Sequence, residues 1–203
     1  MRKGERTKQM IIEKASGLLN TQGYMSTPIT SIMEKTGMEK GGIYNHFKSK
    51  AELSLDAFSY AINTMSMTFQ KAIENQNTTI GKLNAILDVF LFLVEGNPIP
   101  GGCPILNAAI ESDDAHPDLR EATVMAMNDL YSMILRIFRD GIKKREIIPT
   151  IDSETFTTIF ISTIEGSLMM TKLYDDNIYI NRSIGFLRDY LTTLETTNNN
   201  MSN

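Results

Sequence analysis

Tryptophan is absent, cysteine occurs once and histidine twice in the 203 residues. A single cysteine, Cys103, excludes an internal disulfide framework, so nothing in the chain calls for an oxidising compartment. No stretch reaches the roughly 18 consecutive apolar residues of a membrane span. The charged start MRKGERTK leads into an amphipathic pattern, not into the apolar run of a signal peptide. The expected location is the cytoplasm, with no membrane partner. Catalytic signatures are lacking as well: there is no GxSxG, CxxC or HExxH, and no glycine loop after a strand to cradle a phosphate. With so few histidines an acid–base enzyme has little to work with, and the expectation is a non-enzyme without a cofactor. Period-2 runs rich in Val, Thr and aromatics are scarce, whereas apolar residues recur at helical spacing nearly everywhere, so the fold is read as all-α with about nine helices.

Negative charge dominates overall, at −4, but unevenly. Residues 1–50 hold nine Lys/Arg and four Asp/Glu, 9 − 4 = +5, which leaves 11 − 20 = −9 for residues 51–203. A basic N-terminal part can displace counterions from phosphates, while an acidic remainder is repelled by DNA and helps orient the approach. The plain alternative is a solvated charge distribution with no such role.

Local signals divide the chain. A first helix carries Ile11, Ile12, Ala15, Leu18 and Leu19 on one face and closes at Gly23. Thr27 then reads as an N-cap with Pro28 at the first helical position, opening a short helix that stops at Gly37. EKGGIYNHF forms the next short helix, and Ser49-Lys50-Ala51-Glu52 reads as a capping box before a long one. From about Thr79 a helix apolar on most sides runs to Val94, and GNPIPGG must be a loop. A helix then restarts with Cys103 near its N-cap and Pro104 at its first position. Long helices are expected over about Pro117–Lys144, Ser153–Leu173 and Tyr179–Leu194, followed by a polar, disordered tail over 197–203.

The block Gly23-Tyr24-x-x-Thr27, Ile32, Gly37-Met38-x-Lys40-Gly41-x-Ile43-Tyr44-x-His46-Phe47 and Lys48-x-Lys50-x-x-Leu53 resembles the TetR family signature across about residues 6–55. The resemblance implies a three-helix helix-turn-helix DNA-binding domain over 1–50 and a helical effector-binding and dimerisation domain over 51–196. It implies a recognition helix over about Glu39–Asn45, with Lys40, Gly41, Gly42 and Asn45 facing the major groove. Tyr44, His46, Lys50 and Thr27 resemble family residues that touch phosphates. Solvent-exposed or core-packing roles are the alternatives for Lys50 and Tyr44. Glu39 departs from the family, which usually has a small hydroxyl residue there, so family operator preferences do not transfer.

In the C-terminal half Ile180, Ile184, Leu187, Leu191 and Leu194 recur at coiled-coil-like spacing, and the preceding helix is apolar through Phe156, Ile159, Phe160, Ile164 and Met169. The resemblance makes these two helices a four-helix dimer bundle with their copies. The expected interface is Phe156, Ile164, Gly166, Ile180, Ile184, Leu187 and Leu191, with an internal bundle within one chain as the alternative. A homodimer would present two recognition helices to a palindromic duplex. Thirteen methionines suggest an adaptable interior, and the family implies an effector pocket. Its expected walls are Phe90, Cys103, Asn107, Met125, Tyr131, Phe160, Glu165 and Met169, for a small molecule of unknown identity. A methionine stripe is also simply core. Cys103, at a helix N-terminus and within GGCP, resembles electrophile-responsive members of the family; a buried inert thiol is its alternative. Glu111, Asp113, Asp114, His116 and Asp118 could be read as a metal site, but such turns are usually solvated caps, and none is expected. The leading reading is a repressor released by an effector that tilts the long fourth helix. A constitutive DNA-binding dimer is the rival.

Overall fold

A computed structural model describes residues 3–112 and 116–196. Asp113, Asp114 and the 197–203 tail lie outside them. The described residues form nine helices and no strand: α1 (Lys3–Gln22), α2 (Ile29–Thr36), α3 (Lys40–Tyr44), α4 (Lys50–Glu74), α5 (Thr79–Val94), α6 (Pro104–Glu111), α7 (Pro117–Lys143), α8 (Ser153–Tyr174) and α9 (Ile178–Thr193). Cap chemistry places several boundaries as expected. The Gly23 amide donates to the Leu19 carbonyl (2.8 Å) in a left-handed conformation (φ 105°). Gly37 ends α2 the same way (φ 73°), and Cys103 is the N-cap of α6 with Pro104 behind it.

Two local expectations are corrected. Thr27 does not cap α2; Pro28 occupies that position, and the Thr27 hydroxyl donates instead to the Gly23 carbonyl (2.5 Å). Ser49 Oγ does accept from the Glu52 amide (3.1 Å), but the Glu52 carboxylate reaches back one residue further than a capping box requires, to the Lys48 amide (2.7 Å).

The chain divides into two compact units. The first comprises residues 1–68 and 92–127, the second 69–91 and 128–203. In the first, α1 packs on α2 and on α6, and α2 on α3. Its interior is Ile11, Ala15, Leu19, Tyr24, Ile32, Ile43, Phe47 and Phe58, of which each Ile, Leu and Phe side chain contributes about 1.5–3 kcal/mol when fully buried. Tyr24 and Phe58 meet edge-to-face with ring centroids 5.3 Å apart. Burial pushes the Tyr24 phenol well above its ordinary range.

In the second unit α8 packs on α9. The rings of Phe138 and Phe156 stack at 4.0 Å, and Phe160 continues the row. Glu146 accepts from the Thr79 amide (2.6 Å) and so caps α5 from a distant turn; hydrogen bonding by Thr79 holds its carboxyl below the usual carboxylate range. A folded-state value below the unfolded one means that this stabilisation is complete above the ordinary carboxylate range and is lost as pH falls through the lowered folded value. Glu146→Ala should therefore cost about 1 kcal/mol at neutral pH, and the gap in melting temperature to the unsubstituted protein should close on acidification. Thermal melts from pH 7 downwards read this directly.

Candidate nucleic-acid interface

The short α3 is two-faced. Ile43 and, just beyond the helix, Phe47 are buried, while Lys40, Gly41, Tyr44 and Asn45 are exposed and Gly42 and His46 partly so. The hydrophobic anchors fix the helix from one side, and the remaining positions form one outward face carrying a cation, an amide, a phenol and two glycines. A Cβ added at Gly41 would meet nothing within 4 Å, so this surface is open. Glu39 is the N-cap of α3 but makes no side-chain cap bond.

The nine cations of residues 1–50 are unequally available. Lys8 forms an ion pair with Asp56 (2.8 Å), with Glu52 at 3.8 Å, and lies over the Phe47 ring; the Asp56 hydrogen bond is the main cause of its raised pKa. Lys14 donates to the Thr36 carbonyl (3.3 Å). Lys50 is drawn inward: its ammonium donates to the carbonyls of Met25 and Thr27, and desolvation by burial lowers its pKa. Two of its three donors are thus spent inside the protein. Lys3, Arg6, Lys35, Lys40 and Lys48 remain exposed. Thr27, expected on a phosphate, is 1% exposed, and its hydroxyl is committed to Gly23, so its side chain cannot reach DNA in this conformation.

The family description "Bacterial regulatory proteins, tetR family" matches residues 11–57, and "Tetracyclin repressor-like, C-terminal domain" matches residues 79–187. The chain belongs to the TetR family. A TetR transcriptional regulator from Chloroflexus aurantiacus J-10-FL is similar to it in structure, with a TM-score of 0.90 and 37% identity over 96% of this chain and 98% of that one. An uncharacterised HTH-type transcriptional regulator of Mycobacterium tuberculosis is 22% identical, covering 83% of this chain and 86% of the relative. The TetR-family regulator CifR, cysteine-substituted and complexed with 26bp operator DNA, shares the fold at a TM-score of 0.77 and 14% identity, covering 92% of this chain and 95% of that one.

In this TetR-family chain most of the expected dimer seam is turned inward. Phe156, Ile164, Ile180, Ile184, Leu187 and Leu191 are all buried within the single chain, where α8 and α9 pack on the rest of their unit. Phe156 and Leu187 also border a groove on the outward face of these two helices. Each helix carries a second stripe facing outward. On α8 it runs Thr155, Ile159, Ser162, Gly166, Met169 and Leu173; on α9 it runs Tyr179, Ser183, Phe186, Tyr190 and Thr193. Both follow the same alternation of fours and threes as the buried stripes. Leu173 is 71% and Phe186 65% exposed, on two helices that pack on one another. Gly166, alone of the expected seam, lies on this outer stripe, and a Cβ there would meet nothing within 4 Å. The same is true of Gly185 on α9.

The expected pocket residues fall in both units, Cys103, Asn107 and Met125 in the first and Phe90, Tyr131, Phe160, Glu165 and Met169 in the second. Met125 and Met169 are 62% and 48% exposed. Asn107 spends its amide on the carbonyls of Asn20 and Gly101 and on the Asn20 side chain. The Tyr131 hydroxyl reaches the Glu154 carbonyl (3.3 Å). Phe90 and Phe160 belong to the second unit's core, and Glu165 is buried on α8. Cys103 is buried at the start of α6 in the first unit. A groove of about 340 Å³ opens in the second unit between Phe156, Ile159, Phe160, Phe186 and Tyr190, on the outward face of α8 and α9. No helix among the described residues is long and apolar enough to cross a membrane.

Proposed function

We propose that this chain is a homodimeric operator-binding repressor, with residues 1–50 as its DNA-binding part and 51–196 as its effector and dimerisation part, released from DNA by a small molecule or by modification of Cys103. The observation that carries the DNA reading is the outward face of α3, where Lys40, Gly41, Gly42, Tyr44, Asn45 and His46 stand over a buried anchor of Ile43 and Phe47. Lys40 and Asn45 suit base edges, while Tyr44 and His46 suit backbone oxygens. The operator complex of CifR, a protein of the same fold, supports it. The partner copy docks through the outer stripes of α8 and α9 and covers the groove between them, so that two α3 faces meet a palindromic duplex.

Lys48 and Lys50 separate contact from positioning. Lys48→Ala should reduce the slope of log affinity against log salt by about one per chain, because one phosphate neutralisation is lost. Lys50→Ala should lower the melting temperature and weaken binding on every sequence, yet change that slope less, since its charge is largely spent on Met25 and Thr27. Fluorescence anisotropy across a salt series distinguishes the two.

The cysteine reading has a steric basis. Cys103 is 2% exposed and caps α6, immediately after Gly101 and Gly102. Its loop is fastened to α1: Asn20 Nδ2 donates to the carbonyls of Pro100 (2.8 Å) and Gly102 (3.0 Å). Addition of the thiolate across the double bond of N-ethylmaleimide forms an S–C bond, with a proton taken up at the neighbouring carbon. The adduct has no room there unless the loop moves, and Asn20 moves with it. Gel shifts on DNA upstream of the protein's own coding region should therefore lose the complex after N-ethylmaleimide treatment, and Cys103→Ser should resist. A wild-type complex indifferent to the reagent, and to hydrophobic cations added in parallel, favours the second reading of a constitutive DNA-binding dimer. The outward placement of Met125 and Met169 already supports that alternative.

A further inference from the structure

One set of hydrogen bonds in the first unit plays no part in DNA contact and yet holds the element that makes it. Glu111, the last residue of α6, aims its carboxylate at the turn between α1 and α2. Oε2 accepts from the amides of Tyr24 (2.5 Å) and Met25 (3.1 Å), and Oε1 accepts from the Ser26 hydroxyl (2.9 Å). Three donors on consecutive residues thus converge on one anion, a charge-assisted arrangement stronger than neutral hydrogen bonds. The fit is close: Gly23 has φ 105°, and a Cβ there would fall inside the Glu111 carboxylate.

The carbonyls of the same turn are held from the opposite direction. Ser54 Oγ donates to the Tyr24 carbonyl (2.6 Å), and the Lys50 ammonium donates to those of Met25 and Thr27. The turn is therefore clamped, its amides by α6 and its carbonyls by α4. Half-way along α6 a second fastening joins it to α1: Asn107 Nδ2 donates to the Asn20 carbonyl and to Asn20 Oδ1 (both 3.0 Å), and the Tyr24 hydroxyl donates to that same Oδ1 (3.1 Å). Gly101 lies against α1, where a Cβ would come within 2.8 Å of the Asn20 carbonyl oxygen.

We propose that Glu111 is a positioning residue for DNA binding. Its carboxylate fixes the α1–α2 turn, so that the setting of α2 and α3 against DNA is dictated from α6. The inference rests on the operator-binding reading and names a residue that positions its DNA-contacting face. Both carboxylate oxygens are taken up inside the protein, by the Tyr24 and Met25 amides and the Ser26 hydroxyl. Glu111 acts by leaving the amides of Tyr24 and Met25 paired instead of stranded in a part-buried site.

The test combines operator affinity, measured by anisotropy at fixed salt, with amide hydrogen exchange resolved to Tyr24 and Met25, in the full-length protein. Glu111→Ala should weaken operator binding by about tenfold, with an unchanged salt slope, and should selectively deprotect those two amides while α8 and α9 keep their protection. Glu111→Gln, which retains one acceptor oxygen, should recover part of both. Ser26→Ala should cost little more once Glu111 is already alanine, because the two share one interaction. Wild-type affinity in Glu111→Ala overturns the proposal, and so does a loss of protection spread evenly over the chain, which would mark general destabilisation. Failure of the wild-type protein to prefer any duplex would instead count against the operator reading, while the exchange of Tyr24 and Met25 would still report on the clamp.

Discussion

Gly166→Arg should leave a folded, fully helical chain that no longer forms the homodimer, and operator affinity should fall by about 10²–10⁴-fold with the loss of bivalent attachment. A Cβ at Gly166 meets nothing within 4 Å inside the chain, so the new side chain starts into open space. The damage arises only if another molecule approaches that point. Gly166 lies midway along the outer stripe of α8, with Ile159 seven residues before it and Leu173 seven after. A small residue flanked by large apolar ones suits a close helix crossing. A long cation there separates the crossing helices and buries a charge without a partner. Sedimentation and circular dichroism, run together, separate this outcome from unfolding. A dimer of normal affinity in Gly166→Arg would move the interface off the outer stripe.

Gly41→Val should be the second large loss, for the same physical reason. Gly41 lies on the exposed face of α3, and an added Cβ again meets open space. Exchanging glycine for a residue with a β-carbon reduces the entropy lost on forming the helix, so stability should hold or rise slightly. Close approach of the α3 backbone to a groove floor is what the new side chain would block. Operator affinity should drop by about tenfold to a hundredfold, the scale of one or two lost base contacts, with Gly41→Ala falling between. Unchanged binding in Gly41→Val, at an unchanged melting temperature, would show that this face does not enter the groove.

Legibility in the sequence followed the range of the interactions. Helix ends set by residues next to them were readable: Gly23 and Gly37 in left-handed conformations, and Cys103-Pro104 opening α6. The all-helical architecture was equally plain, because helical periodicity pervades the chain and needs no knowledge of partners. Orientation was harder. On α8 and α9 two apolar stripes share the same spacing, and periodicity alone does not say which is turned inward. The stripe through Ile180, Ile184, Leu187 and Leu191 has the larger aliphatic residues and reads as a partner seam; in the single chain those residues are buried, and Gly166, Phe186 and Tyr190 lie on the outer stripes. Side-chain hydrogen bonds across long stretches of sequence left no local trace. Thr27 reads as a cap because threonine before proline usually is one, yet a carbonyl four residues earlier captures its hydroxyl. Glu111 reads as part of an acidic connection, since its partners at Tyr24, Met25 and Ser26 are 85 to 87 positions away. Lys50, a phosphate ligand by resemblance, is drawn inward by two carbonyls whose position only the folded turn supplies.

Selection of bound duplexes from a random pool, followed by sedimentation of the protein on the enriched sequence, measures the decisive property. The account predicts an inverted repeat whose half-sites lie about one helical turn, or a multiple of it, apart, occupied by chains in even number. Enrichment of no sequence over the starting pool at physiological salt, or a single half-site held by one chain, would contradict it.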